Sequence, residues 1–320
     1  MATSAAGPIQ HVVILFKENH TYDNYFGSFP GGDGDPSLPH APDPPASDPP
    51  HDHQSWLKRA TGAVRLEYHS SDIPGYWAYA QQFTLCDRYF TDVAGPSTPN
   101  HLMVVAADST IINNPHVLDP AKMRPPWNLP SLPAALEKAG LDWRNYGGYV
   151  FNDITALKGS PKSVKAQQFA VDAAAGRLPA VSWVFGAPGL DEHPVGSVAK
   201  GAAWSVAQVD AVVRGGLWPS TAIFITWDDW GGWYDHVNPP EVEKWTDGTQ
   251  FRYGSRVPCL ALSPYTKTNH ISHELNSHVS LVRFCEDVFR LPHLNARTQA
   301  SNGMADCFDF AQAPVGPPAP

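Results

Sequence analysis

Two nearly unbroken apolar runs stand out along the chain. His11-Val12-Val13-Ile14-Leu15-Phe16 gives way to Lys17-Glu18-Asn19-His20, and Thr221 to Trp227 gives way to Asp228-Asp229. Apolar runs without polar alternation predict strands covered on both faces. Weaker strand patterns cover 141–146, 180–185 and 258–262. Apolar residues at helical spacing predict helices over 73–90, 101–107, 202–213 and 278–289, the last stopped by Leu291-Pro292. Another spans 131–139, with Ser131 as its cap and Gly140 as its stop. Strands alternating with helices over the whole length predict an α/β fold with a mostly parallel sheet. Residues 29–53, with eight prolines between Pro30 and Pro50, read as an extended loop. The pattern gives a single domain over 10–295 and an irregular, proline-rich tail over 296–320.

In such sheets ligands bind beyond the carboxyl ends of strands, which draws attention to the two polar clusters. Glu18, Asn19, Asp228 and Asp229 offer oxygen ligands, and adjacent carboxylates repel one another unless a cation compensates. Oxygen ligation alone favours Mg, Ca or Mn, whereas added histidine favours Zn or Fe. Ser97 lies in the turn Gly95-Pro96-Ser97-Thr98-Pro99-Asn100, ahead of a predicted helix. A hydroxyl at a helix start faces amides that favour phosphate, and a metal on its oxygen makes it a nucleophile. A plain capping role for Ser97, and Thr98 as the reactive neighbour, remain open on spacing alone. Of the 14 histidines, His69, His193, His236 and His278 are candidates for acid–base work; His20, His40, His51 and His53 lie in loops and are weaker.

Charge narrows the partners. With 22 Lys+Arg against 31 Asp+Glu the net charge is −9, which argues against a nucleic-acid surface built on clustered cations. Eleven Trp, 11 Tyr and 14 Phe exclude a chain that is disordered throughout. No window approaches the ~18 apolar residues of a membrane span. Met1 to Gln10 lacks a basic start and an apolar stretch, so the location reads as extracellular or periplasmic if a leader has been removed, and otherwise cytoplasmic. Four dispersed cysteines build no disulfide scaffold, and Cys86 and Cys285 sit in apolar patterns that suit buried free thiols.

Six blocks in order resemble the bacterial phosphoesterase family, which contains metal-dependent acid phosphatases and phospholipases C. They are Glu18-Asn19-His20-Thr21-Tyr22-Asp23-Asn24-Tyr25-Phe26-Gly27, His69-Ser70-Ser71-Asp72-Ile73-Pro74, the Gly95–Asn100 turn, Asp191-Glu192-His193-Pro194, Trp227 to Val237, and Arg256 to Phe284. The resemblance covers about residues 10 to 292. It implies a three-layer α/β/α sandwich of the alkaline-phosphatase kind, and an enzyme hydrolysing phosphoric esters. Its substrate would be a small phosphate ester or a phospholipid head group. Glu18, Asn19, Asp228 and Asp229 would hold one or more divalent ions (Ca, Mg, Mn, Zn or Fe), and Ser97 would form a phosphoserine. His193 would contact the phosphoryl group or protonate the leaving oxygen. His69 and His278 match further family histidines, and Asn100 would hydrogen-bond a phosphoryl oxygen. The chain departs from the family pattern at Asp229, where Glu is usual, at Trp230, where His is usual, and at Trp233, where Phe is usual. The alternative those departures raise is a non-catalytic metal- or phosphate-binding protein on the same fold.

Overall fold

The computed structural model describes residues 7–115 and 124–318; the other positions, with most of the amino-terminal segment read for a leader, lie outside the described residues. The central sheet is built from β1 (His11–Lys17), β2 (Thr84–Cys86), β3 (Trp143–Tyr146), β4 (Ser163–Val164), β5 (Val181–Phe185), β6 (Thr221–Trp227), β7 (Cys259–Leu262) and β8 (His270–Ser272). Its order is β8-β2-β7-β6-β1-β5-β3-β4. β7 runs antiparallel to both β6 and β2, while the remaining pairs are parallel. The two most apolar strands are adjacent and central: β1 pairs β6 from His11↔Thr221 to Lys17↔Trp227 and is flanked by β5 on its other side. Every residue of β6 is buried, as expected of a strand covered on both faces.

Besides two short helices at His53–Leu57 and Arg59–Gly62, the α-helices among the described residues are α1 (Tyr22–Phe26), α2 (Pro74–Gln82), α3 (Ser97–Ala106), α4 (Leu132–Lys138), α5 (Gln168–Ala174), α6 (Val198–Arg214), α7 (His278–Phe289) and α8 (Ala296–Ala300). They form two groups, α3 with α4 and α7, and α6 with α2 and α5. Successive residues of β1 assign each group a face, because neighbouring side chains in a strand point to opposite sides. Phe16 packs edge-on against His101 of α3 and His278 of α7, whereas Lys17 reaches the Gly201 carbonyl of α6. The sheet is therefore the middle of three layers. Among the described residues no helix is long and apolar enough to cross a membrane.

Several boundaries differ from the sequence pattern. The helix expected over 73–90 ends at Gln82, and Thr84–Cys86 becomes a strand between β7 and β8. Cross-strand pairing to Leu260 and Ile271 holds Leu85 there, a tertiary partner that local periodicity cannot reveal. α3 begins at Ser97 rather than at His101. The segment after Asn295, expected to be irregular, carries α8 and packs on the core: Cys307 is fully buried, and the Phe308 ring stacks on Phe284 of α7 and meets Phe224 of β6 edge-on. All four cysteines are buried and free, and Cys86 Sγ lies 3.5 Å from Cys307 Sγ.

Candidate active site

The carboxyl ends of β1 and β6 meet. The Asp228 amide donates to the Lys17 carbonyl (2.9 Å), which carries the ladder one residue past the strands. Asn19 then takes a left-handed backbone (φ 65°), turning the chain back over the sheet edge. Asp228 is fully buried and organises that turn: its Oδ1 accepts the Asn19 amide (2.8 Å) and the Asp229 amide (2.7 Å). Asp229 Oδ1 accepts the Gly231 amide at 2.6 Å. Gly231 (φ 58°) lies so close that a Cβ there would stand 2.3 Å from the Asn19 carbonyl oxygen, so this close approach requires glycine.

Ser97 meets these groups as the first residue of α3. Its Oγ donates to Asp229 Oδ2 at 3.0 Å and lies 3.4 Å from Glu18 Oε2. Thr98 points elsewhere, its Oγ1 3.0 Å from the Tyr149 hydroxyl. One helical turn on, at the i, i+4 position that shares the Ser97 face, the buried His101 places Nε2 3.2 Å from both Glu18 Oε1 and Asp228 Oδ2. Ser97, Glu18, Asn19, Asp228 and Asp229 thus come together as expected, joined by His101. Histidine at i+4 from a serine in a helix-opening turn was the signal for it.

The other expected residues divide. His193, half-buried in the loop after β5, donates Nδ1–H to the Pro194 carbonyl (2.6 Å), which leaves Nε2 free. It faces His51 of the proline-rich loop, with ring centroids 6.1 Å apart, and one donor atom from each lies within 4.8 Å of the others and of a carboxylate oxygen of Asp48. His51 Nδ1 is bound to the Pro49 carbonyl (2.7 Å) and its Nε2 lies 3.3 Å from the side-chain nitrogen Nδ2 of Asn19. Its place over the site had no local signal, since a loop is positioned only by what it packs on. Asn100 does not face the site: its Oδ1 accepts the Val93 amide (2.8 Å), and its Nδ2 contacts the carbonyls of Val93, Gly95 and Pro96. It shapes the turn that presents Ser97. His278 sits behind β6, donating Nε2–H to the Asp228 carbonyl (2.9 Å) and accepting from Tyr89 at Nδ1 (3.0 Å). Burial lowers its pKa and keeps it neutral. His69 stands apart, stacked on His40 at 4.5 Å and capped by Asp72.

Crowded carboxylates set the electrostatics. Burial, then the Asp228 charge, push the Asp229 carboxyl up to about 8, and the same two causes raise Glu18. Burial opposes the charged form of His101, but Glu18 and Asp228 prevail and lift it to about 10. Hydrogen bonds from His101 hold Asp228 below the usual carboxylate range against its burial. Burial also works against protonated His193, yet the Pro194 carbonyl and the charges of Glu18, Asp48 and Asp228 raise it. The donor set suits a divalent cation: three carboxylates converge, and the buried Asn19 Oδ1 has no partner in the protein. Glu18, His101 and Asp228 also have donor atoms within 4.8 Å of one another.

A pH dependence follows. Between the ordinary pKa values of Asp229 and His101 and their raised ones, the folded chain binds more protons than the unfolded chain, so its stability falls with rising pH. In chelated protein the melting temperature is expected to drop from pH 6.5 to pH 8, where the two windows overlap. Ligation displaces those protons, so added Mn should raise the melting temperature more at pH 8 than at pH 6.5. An ion effect of equal size at both pH values contradicts this electrostatic account.

A family model of the phosphoesterase family matches residues 9–43 and 50–292, most of the chain. The chain belongs to the phosphoesterase family. With that membership it is a hydrolase of phosphoric ester bonds. It is 29% identical to phospholipase C B of Mycobacterium tuberculosis over 420 aligned positions, covering 98% of this chain and 80% of that protein. To the non-hemolytic phospholipase C of Burkholderia pseudomallei it is 27% identical, covering 97% of this chain and 60% of that one. Solved structures share the fold at far lower identity. Human ectonucleotide pyrophosphatase/phosphodiesterase 5 superposes with a TM-score of 0.55 at 8% identity, over 94% of this chain and all of that one. A protein of the alkaline phosphatase superfamily from Vibrio parahaemolyticus gives 0.50 at 11% identity, over 95% and 71%. The phosphoesterase fold is thus of the alkaline-phosphatase kind, an α/β architecture around a mostly parallel sheet.

Proposed function

We propose that the chain hydrolyses phosphate esters in the manner of a phospholipase C, through a phosphoserine on Ser97, with a phospholipid head group as the substrate class. The observation that carries this reading is the placement of Ser97 Oγ, on the first turn of α3, between Asp229 Oδ2 and Glu18 Oε2. The phospholipase C relatives favour that substrate class over small monoesters.

Glu18, Asn19, Asp228 and Asp229 would hold a divalent ion, which when bound supplies positive charge that lowers the pKa of the Ser97 hydroxyl and offsets charge on the phosphoryl oxygens. Ser97 Oγ attacks phosphorus in line with the departing oxygen. The Oγ–P bond forms as the bond from phosphorus to the leaving alcohol breaks, the Ser97 hydroxyl having given up its proton to solvent. The positive end of α3, whose first residue is Ser97, favours the negative phosphoryl group. His193 Nε2, left free by its Nδ1 hydrogen bond, delivers the proton the leaving oxygen needs. Water then attacks phosphorus and gives a proton to His193, the Oγ–P bond breaks to release the phosphorylated head group, and Ser97 Oγ regains a proton from solvent.

Acid quenching during turnover of p-nitrophenyl phosphorylcholine, followed by peptide mass analysis, tests the covalent step. Phosphorylcholine should be found on the peptide that carries Ser97, with a burst of p-nitrophenol preceding steady turnover. Phosphorylcholine on a histidine, or turnover without a burst and with no modified peptide, removes Ser97 as nucleophile.

A further inference from the structure

Outside the reacting groups, Glu192 is a heavily engaged polar side chain at this end of the sheet. It is fully buried, and as a non-glycine residue at φ 74° it occupies the left-handed region, a strained backbone held only where the surroundings over-determine it. Its carboxylate takes four donors. Oε2 accepts from the Tyr25 hydroxyl (2.7 Å) and from Trp227 Nε1 (2.9 Å), and Oε1 accepts from the Tyr76 hydroxyl (2.6 Å) and pairs with Lys17 Nζ (3.2 Å). Its backbone carbonyl accepts from His20 Nε2 (3.1 Å).

The identity of these partners is the informative part. Lys17 immediately precedes Glu18, Trp227 immediately precedes Asp228, His20 immediately follows Asn19, and Glu192 itself immediately precedes His193. One carboxylate therefore ties together the chain neighbours of residues that enter the site from β1, from β6 and from the loop after β5. α6 is shaped to admit it: a Cβ at Gly201 would stand 2.2 Å from Glu192 Cγ. Lys17, also fully buried, completes the arrangement by donating to the Gly201 carbonyl at 3.3 Å. A buried ion pair of this kind contributes little net stability over apolar packing of the same shape, so stability alone does not account for it.

We propose that Glu192 is a positioning residue for the hydrolytic site, setting Glu18, Asp228 and His193 at their mutual distances without touching substrate; this rests on the reading of the site given above. A carboxylate with four donors has one low-energy placement, so the three segments share one reference point. Loss of that point lets each end relax separately, and displacements of an ångström cost about 10²-fold in rate.

The test uses Glu192→Gln, the double variant Lys17→Met/Glu192→Gln, which removes the buried charges together, and Gly201→Ala, which presses on Glu192 from the helix behind it. For each, kcat and KM on p-nitrophenyl phosphorylcholine, Mn affinity by calorimetry, melting temperature and a crystal structure are measured. Glu192→Gln is expected to lower kcat by about 10²-fold with KM changed far less, and to weaken Mn binding by about 10-fold. The double variant should regain melting temperature but not kcat or Mn affinity, and crystals should show His193 or Glu18 displaced. Gly201→Ala should lose activity in the same direction, although alanine favours the helix. Wild-type kcat and Mn affinity in Glu192→Gln, or their recovery in the double variant, overturns positioning and assigns Glu192 to charge pairing alone. Wild-type protein that turns over no ester at all instead removes the reading of the site, and the undisplaced or displaced side chains in the Glu192→Gln crystal then decide the positioning role separately.

Discussion

Ser97→Ala is expected to lower turnover of p-nitrophenyl phosphorylcholine by on the order of 10⁴-fold, the scale seen when a covalent nucleophile is removed. The Ser97 side chain is small and nearly buried, and its two hydrogen-bond acceptors, Asp229 and Glu18, lie on other segments. Nothing in the α3 fold depends on the hydroxyl, because the helix has no side-chain cap at its start and the turn before it is held by Asn100. The melting temperature of the variant should therefore stay within a few degrees of wild type, and its Mn affinity should persist. Steady-state kinetics with thermal unfolding on the same preparation check both halves. Full activity in the variant leaves Thr98 or an activated water as the nucleophile and overturns the mechanism. Loss of folding would show instead that the hydroxyl holds the carboxylates apart.

Asp228→Asn is expected to act through the ion and through the fold together. Asp228 is fully buried, accepts two backbone amides on Oδ1, and pairs with His101 on Oδ2. An amide there removes a charge from beside a protonated imidazole, and truncating one partner of a buried pair costs roughly 3 kcal/mol. Chelated Asp228→Asn protein should therefore melt well below chelated wild type, and Mn affinity should fall by ~100-fold or more. Asp229→Asn provides the contrast. The Asp229 carboxyl, pushed up to about 8, holds its proton at neutral pH when no ion is bound, so replacing it should hardly change the chelated melting temperature. It should nevertheless weaken Mn binding, because a neutral amide cannot replace an ionised ligand. Equal destabilisation by the two substitutions at pH 7 contradicts the assignment of charge within the pair.

These expectations rest on features with different visibility in the sequence. β1 and β6 were legible because a strand buried on both faces is apolar at nearly every position, and that local pattern needs no knowledge of neighbours. Their polar endings, Glu18-Asn19 and Asp228-Asp229, were legible as candidate ligands for the same reason: strand ends mark where ligands bind in parallel sheets. The collinear blocks placed the chain in the phosphoesterase family. Three of the expected catalytic residues took a different place once packed. Asn100 spends its amide on the turn before Ser97, His278 supports the Asp228 carbonyl from behind β6, and His69 stacks on His40 away from the carboxylates. In each case residue type was compatible with chemistry, while the direction of the side chain depended on contacts distant in the chain.

His101 and His51 show the opposite failure. His101 shares a helical face with Ser97, a relation present in the sequence once the helix is known to begin at Ser97. His51 lies in the proline-rich loop, and its approach to Asn19 depends on how that loop packs over the sheet edge. Glu192 is similar, since its four donors come from β1, α1, α2 and β6. By itself the sequence determined the fold class, the family and the central strands with their polar ends, because these follow from burial periodicity and from residues adjacent in the chain. Only the tertiary structure decided which hydroxyl faces the carboxylates, which histidines stand around them and which groups carry protons. Those properties depend on distances of 2.8 to 3.2 Å between residues up to 209 positions apart, and at that range burial and charge fix both direction and ionisation.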